Sequence, residues 1–223
     1  RSGYLVAVLS AAIAFLAQTQ GQIASPQVSL IWNAAIVGII GCVLAQLLHR
    51  TKLADEIEKQ LSRIDSATGA INRNFFIELL AAEFNRAERY KFPLTLAHIV
   101  LDNLKDLNER LGQDAGDAVL YEFIQTLSQA LRANDVVARL SSNEFAVLLP
   151  QTNEIQAQQV FTRIEPAIKT SLEMEAIPLT YGIGIASFQV MPDTVEDLLQ
   201  QTQNILQQNQ NNTKNRLAYQ VLP

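Results

Sequence analysis

Cysteine, histidine and positive charge are all scarce in this chain. Cys42 is the single cysteine among 223 residues, which excludes a disulfide framework and a cysteine-built metal cluster. The two histidines, His49 and His98, are far apart, and His98 lies in an apolar run typical of a packed core. The net charge is -5 and no long basic run appears, which argues against broad electrostatic binding to DNA or RNA. We therefore expect neither a metal cluster nor a nucleic-acid partner.

Charge is missing altogether from two apolar segments near the beginning of the chain, residues 4–17 and 28–48. The second is long enough to supply the roughly 20 helical residues that cross a hydrocarbon core. Arg1 precedes the pair and Arg50 follows it, and positive residues favour the cytoplasmic side of a membrane. We predict two transmembrane helices within residues 1–49, in contact with the lipid of a bacterial inner membrane, with the remainder in the cytoplasm. The alternative is that the first segment is a signal peptide.

A narrow apolar seam follows the second segment. Leu53, Ile57, Leu61 and Ile64 recur at spacings of four, four and three, with charged residues between them. This pattern predicts a linker helix over residues 50–64. A narrow seam suits a short parallel coiled coil between two copies, and hence a homodimer. The alternative is a helix that packs on its own domain.

The remaining residues, 65–223, are predicted to form one compact α+β domain. Short apolar runs alternate with amphipathic stretches, and two of the runs flank a polar tip at residues 141–144. Helices are predicted at 75–89, 118–131, 156–168 and 195–208, and strands at 94–101, 136–140, 145–149, 179–188 and 215–221. This order indicates a central sheet wrapped by helices, with a hairpin in its middle.

Four motifs in this domain keep a common order and spacing. Residues 65–73, DSATGAINR, resemble D-x-L-T-G-L-x-N-R, and residues 101–109, LDNLKDLNE, resemble the end of D-x-D-x-F-K-x-x-N-D. Residues 112–117, GQDAGD, resemble G-H-x-x-G-D, and residues 139–145, RLSSNEF, stand where R-x-G-G-D-E-F would be. Together they resemble the GGDEF domain of diguanylate cyclases. The resemblance implies a nucleotidyl-cyclase-like fold with the signature motif on a hairpin.

The resemblance also implies a two-metal site at which active members join two GTP molecules into cyclic di-GMP. The metals, normally magnesium, are held in part by the first aspartate of D-x-D and the first acidic residue of the signature. Those positions are Val100 and Asn143 here, and the two signature glycines are Ser141 and Ser142. The five positions of the G-G-D-E-F signature are here Ser141, Ser142, Asn143, Glu144 and Phe145. The last two keep the residues of the signature. We therefore expect no metal, no cofactor and no enzyme activity.

Two residues match the family's guanine-reading pair, Asn108 and Asp117. An amide and a carboxylate together satisfy the O6 acceptor and the N1 and N2 donors of guanine. With the metal positions altered, we regard this pair as a vestigial guanine site. The alternative is structural, with Asn108 capping a turn and Asp117 capping a helix.

Arg132 and Asp135 form an R-x-x-D motif shortly before the signature. The resemblance assigns this motif to an inhibitory site that binds cyclic di-GMP, and Arg163 matches a further arginine of that site. Arginine offers a planar fork to guanine and phosphate, and aspartate accepts from guanine. We predict a membrane-anchored, catalytically inactive receptor of cyclic di-GMP. The alternatives are a nucleotide-independent dimerising scaffold that docks an unknown protein partner, and a residual diguanylate cyclase.

Overall fold

The structure is a computed structural model that describes residues 37–50, 62–173, 179–208 and 216–222. The chain divides into two units, Arg1–Leu61 and Ser62–Pro223. In the first unit, residues 37–50 are helical and every one of them is exposed. Among the described residues, no helix is both long enough and apolar enough to cross a membrane. The predicted first span, residues 4–17, and the beginning of the second lie outside the described residues.

The predicted linker helix is tested only at its end, because residues 51–61 lie outside the described part. Residues 62–64 are not helical, so the predicted boundary at Ile64 is wrong. The Ser62 hydroxyl donates to the Ile64 carbonyl at 2.8 Å and accepts from the Ile64 amide at 3.3 Å. Ile64 then forms an isolated antiparallel bridge with Ile71. These local bonds lie at the beginning of the second unit.

The second unit is one six-stranded mixed sheet with helices on both faces, which confirms the predicted α+β class. The strands lie in the order β1-β3-β4-β2-β5-β6. The three central pairings are antiparallel, whereas β1 with β3 and β5 with β6 are parallel. The elements are β1 (Ile71–Asn72), α1 (Arg73–Tyr90), β2 (Leu94–Asp102), α2 (Leu104–Leu111), α3 (Gln113–Ala130), β3 (Val136–Arg139), β4 (Glu144–Pro150), α4 (Glu154–Glu173), β5 (Thr180–Phe188), α5 (Val195–Gln208) and β6 (Arg216–Leu222).

Strand β2 is buried on both faces, which is why its sequence is nearly all apolar. Ala97, Ile99 and Leu101 belong to the core under α3 and α4, whereas Leu94 and Leu96 belong to the core under α1 and α5. The helices supply their apolar stripes to these two cores. Because β2 lies in the middle of the sheet, the polar residues that follow it are held in a defined place.

The signature motif lies on the β3–β4 hairpin, as the sequence predicts, and the structure places the hairpin tip at the end of β2. The amides of Leu140 and Ser141 both donate to the Glu144 carbonyl, at 2.8 and 3.2 Å, and close the tip. Glu144 lies opposite Val100 in the antiparallel register of β4 and β2. Residues 141–143 therefore lie beside the turn that leads from β2 into α2.

Candidate functional site

A cavity of about 670 Å³ lies where β2 ends, between α2 and the hairpin tip. The chain turns sharply there, because Asn103 has a φ of 66°, a left-handed conformation that asparagine tolerates. The cavity brings together residues of three of the sequence motifs, those at 101–109, 112–117 and 139–145. Its lining is Leu101, Asp102, Asn103, Leu104, Lys105, Asn108, Glu109, Gln113, Ser142 and Asn143.

Asn143 is tied to β2 by both its backbone and its side chain. The Leu101 amide donates to the Asn143 carbonyl at 2.9 Å. The Asn143 side-chain amide, Nδ2, donates to the Leu101 carbonyl, also at 2.9 Å. On the other side of the amide, the Ser142 hydroxyl donates to Oδ1 at 3.4 Å. The hairpin tip is thus pinned against the end of the central strand.

Val100 does not line the cavity, and its side chain offers no ligand atom. Its neighbour across the strand pair, Glu144, directs a carboxylate toward the buried ring of His98, with Oε2 and Nε2 3.5 Å apart. Neither ring nitrogen of His98 has a hydrogen-bond partner among the described residues. Burial lowers the pKa of His98 below its ordinary value, and the Glu144 carboxylate opposes that shift only in part. His98 is therefore a packed core residue, as its apolar surroundings in the sequence indicate.

Asn108 is placed in the cavity, but its predicted partner is not. The Asn108 Oδ1 is buried and has no hydrogen-bond partner in the part of the chain that the structure describes. A Cβ on Gly116 would lie 1.9 Å from that oxygen, so the glycine of α3 leaves room for the amide. Asp117 is half-buried on α3 and does not line the cavity. The helix begins at Gln113, so the structure does not support the alternative role of Asp117 as a helix cap.

Charge at the cavity comes from three side chains in the described residues that line it. Lys105 and Glu109 lie on the same side of α2, with Nζ and Oε1 3.7 Å apart, and both are largely exposed. Asp102 is the third and is also exposed. The lysine gives the lining one positive charge, and the two carboxylates place negative charge beside it.

Arg139 links the beginning of the domain to the hairpin tip, a connection that the sequence analysis missed. Its Nη1 donates to Asp65 Oδ1 at 2.9 Å, while Nε and Nη2 donate to the carbonyls of Ser141 and Ser142 at 3.1 and 3.0 Å. Thr68 donates to the same Asp65 oxygen through its amide and its hydroxyl, at 3.0 and 2.7 Å.

Burial by itself raises the pKa of Asp65, but the bonds from Thr68 and Arg139 outweigh it and hold that pKa below its ordinary value. The available signal in the sequence was that Asp65 and Arg139 are the first residues of two motifs.

The three residues of the predicted cyclic di-GMP site lie at two neighbouring concavities on the side of α3 and α4. The Arg132 amide donates to Asp135 Oδ2 at 2.8 Å and fixes the turn that follows α3. Arg132 and Arg163 line one concavity of about 430 Å³. Arg132 and Asp135 line a second of about 260 Å³, beside Gly69 and Val137. Arg163 also donates to the carbonyl of Ala130 near the end of α3.

The chain matches the family model described as diguanylate cyclase, GGDEF domain, over residues 44–216, and it therefore belongs to that family. One relative is the diguanylate cyclase TpbB of Pseudomonas aeruginosa. It is 31% identical over 164 residues, which cover 66% of this chain and 38% of that protein. The chain spans only 20% to 38% of the length of the curated relatives that it matches first.

Two solved structures show the same fold at lower identity. The diguanylate cyclase SiaD of Pseudomonas aeruginosa, in complex with its activator SiaC, is 22% identical with a TM-score of 0.64, covering 97% of this chain and 84% of that one. The GGDEF domain of DgcB from Caulobacter crescentus, in complex with cyclic di-GMP, is 18% identical with a TM-score of 0.65, covering 71% and 95%. At these identities the likeness concerns the fold alone.

The sequence-based prediction that this chain is not an enzyme is wrong. The family model is that of a diguanylate cyclase domain and TpbB is named a diguanylate cyclase, which is an enzyme. Nothing in the described residues shows inactivity. Val100 and Asn143 remove two expected ligands, but the carboxylates of Asp102 and Glu109 still line the cavity. Two substitutions in a motif therefore do not decide whether the chemistry is lost.

Proposed function

We propose that this chain is a membrane-anchored signalling protein that binds cyclic di-GMP through Arg132, Asp135 and Arg163. The observation that carries the proposal is the position of Arg132, which is shared by the concavity of Arg163 and the concavity of Asp135. A ligand with two guanines and two phosphates needs cations and an acceptor at adjacent positions. This surface offers them side by side.

The three side chains are also available to a ligand. Arg132 and Arg163 are exposed, and Asp135 is half-exposed. The Arg132 guanidinium makes no ion pair with another described residue. Asp135 uses Oδ2 for the Arg132 amide, and its other oxygen is not part of that bond. A free arginine fork next to a partly free carboxylate suits both the phosphate and the guanine edge.

A relative in fold supports the choice of ligand. The DgcB domain was solved in complex with cyclic di-GMP, and its fold resembles that of the second unit of this chain. SiaD was solved with an activator protein, so a protein partner for the present chain is part of the proposal.

Membrane anchorage and dimerisation complete the proposal. The uncharged segments 4–17 and 28–48 carry the anchorage, and the helical residues 37–50 expose large apolar side chains. The seam from Leu53 to Leu61 is the candidate contact between two copies. A reporter fused after Pro223 is expected on the cytoplasmic side of the inner membrane. A periplasmic readout, or full solubility without detergent, would contradict the anchorage.

Calorimetry of the full chain in detergent tests the ligand. We expect cyclic di-GMP to bind the unmodified protein, and Arg132→Ala to lose tens- to thousands-fold in affinity. Truncating one partner of a desolvated charged contact costs ~2–5 kcal/mol. Arg86→Ala is the matched control, since Arg86 is an exposed arginine on α1 that pairs only with Glu83 among the described residues. No heat at high micromolar ligand, or equal affinity in both arginine variants, would favour the nucleotide-independent scaffold.

A second candidate function is the binding of a guanine nucleotide in the cavity at the end of β2. The buried, unpartnered Oδ1 of Asn108 favours it, because a buried acceptor without a donor is costly unless a ligand supplies one. We expect GTP to bind more tightly than ATP, and Asn108→Ala to remove the preference. Conversion of GTP to cyclic di-GMP is to be measured in the same preparation. Equal binding of both nucleotides would reject the guanine role of Asn108.

A further inference from the structure

We infer that the Asn143 amide takes the place of a divalent cation at this cavity, so that the hairpin tip is held, and nucleotide is bound, without metal. The observation is the pair of hydrogen bonds between Asn143 and Leu101, one between the two backbones and one from the Asn143 side chain to the Leu101 carbonyl. Both residues line the cavity. The nucleotide part of the inference rests on the second candidate function, whereas the metal part does not.

Hydrogen-bond chemistry assigns the amide orientation. The Leu101 carbonyl can only accept, so the group 2.9 Å from it must be the Asn143 NH₂. The remaining Oδ1 then faces the Ser142 hydroxyl, which can donate. A carboxylate at position 143 would instead place an acceptor against an acceptor. That arrangement is stable only when a cation or a proton lies between the two oxygens.

The two positions at which metal ligands are expected, 100 and 143, do not fit a magnesium or calcium ion. These cations take six or more oxygen ligands, with carboxylates supplying most of the charge. Val100 has no oxygen in its side chain, and the Asn143 side chain is already engaged by Leu101 and Ser142. The carboxylates that remain in the lining, Asp102 and Glu109, are exposed, and Glu109 lies 3.7 Å from Lys105. Among the described residues, no group of three or more histidine, cysteine, aspartate and glutamate side chains is placed to hold a metal.

The hydrogen bond from the Asn143 side-chain amide therefore joins strand and hairpin, as a shared cation would. It connects residues 42 positions apart in the sequence, at the end of the central strand. A hydrogen bond of this kind is formed during folding and does not depend on metal concentration. The cavity should keep its shape in a chelator, and nucleotide affinity should not depend on Mg²⁺.

The test uses Mn²⁺ alone on the full chain in detergent, read by thermal unfolding and by the amount of bound Mn²⁺. We expect the unmodified protein to have the same Tm with EDTA and with Mn²⁺. Asn143→Asp should have a lower Tm than the unmodified protein in EDTA, and millimolar Mn²⁺ should restore that Tm. Its Mn²⁺ affinity should exceed that of the unmodified protein roughly tenfold or more.

Asn153→Asp is the matched control. It adds the same charge beyond the opposite end of β4, where Asn153 caps the following helix by accepting from the Gln156 amide. We expect it to behave as the unmodified protein does. Asn143→Ala, which removes the bond without adding charge, should be destabilised with no response to Mn²⁺. This variant keeps the inference testable if Asn143→Asp does not fold in EDTA.

Two results would overturn the inference. One is tight Mn²⁺ binding by the unmodified protein that Asn143→Ala abolishes. The other is an Asn143→Asp protein that responds to Mn²⁺ no more than Asn153→Asp does. If the inference holds, GTP titrations in EDTA and in Mg²⁺ should give equal affinities. If GTP does not bind at all, the second candidate function fails while the Mn²⁺ result still stands, and neither outcome involves the Arg132 surface.

Discussion

The cavity at the end of β2 and the arginine surface beside α3 use their polar groups in opposite ways. At the cavity, Asn143 is bonded to Leu101, and Lys105 lies beside Glu109. At the arginine surface, the Arg132 guanidinium is exposed and makes no ion pair with a described residue.

A cavity whose polar groups are already hydrogen-bonded to each other keeps its shape but offers few free groups to a ligand. A free arginine offers binding energy to a ligand, at the cost of ordering its side chain. The arginine surface therefore has more binding energy to gain from a ligand.

The largest expected effect separates the two regions by ligand. Arg132→Ala should lower cyclic di-GMP affinity by tens- to thousands-fold, about 2–5 kcal/mol, and leave GTP binding unchanged. Asn108→Ala should do the reverse, because Asn108 lines the cavity and Arg132 does not. Both titrations are made by calorimetry on the same two proteins. If either variant weakens both ligands equally, the regions are not independent.

The next effect tests what holds the cavity together. Arg139→Ala removes three hydrogen bonds and leaves the Asp65 carboxylate without its cation. Because Arg139 is 14% exposed and Asp65 26%, we expect a loss of roughly 2–3 kcal/mol in the free energy of unfolding. Urea unfolding measures it, with the exposed pair variant Arg86→Ala expected near zero. Equal losses in the two variants would remove any special role for Arg139.

A smaller effect concerns the fit of Asn108. Gly116→Ala places a methyl group 1.9 Å from the Asn108 Oδ1, so the side chain or the helix must move. Overpacking of this kind costs ~1–3 kcal/mol, and GTP affinity should fall with it while cyclic di-GMP affinity does not. Gly41→Ala is the control, because a Cβ there meets no atom within 4 Å. A Gly116→Ala protein as stable as the control would show that α2 and α3 are loosely packed.

The smallest effect is a pH dependence at the buried face of the signature hairpin. The folded pKa of His98 lies below its ordinary 6.5, so the unfolded chain binds the proton more readily. Stability should therefore be complete above pH 6.5 and decline as the pH falls through the folded pKa. Asp65, whose folded pKa lies below 3.8, contributes only in a more acidic range. His98→Gln should flatten the profile of unfolding free energy between pH 7.5 and 5, and an unchanged slope would assign that slope to other groups.

Much of the fold was predictable because its signals are local. The apolar run of β2, the polar tip of the hairpin and the helical stripes of α3, α4 and α5 all appear as short-range patterns. Helix α2 was missed, since eight residues, Leu104–Leu111, are too few for periodicity to stand out from the surrounding motif. The predicted helix at 118–131 begins earlier, at Gln113, because the G-x-x-x-G-D segment reads locally as a loop.

The sequence by itself determined the alternation of strands and helices, the family motifs, and the R-x-x-D pair at Arg132 and Asp135. The tertiary structure alone decided which donors meet which acceptors. Arg139 reaches Asp65 across 74 positions and Asn143 reaches Leu101 across 42. Such bonds depend on strand register and on the angle at which elements pack. A shift of one residue in the register of a strand would turn its side chains to the other face of the sheet. A local pattern can predict a strand, but it cannot predict the atom that the strand places opposite an amide.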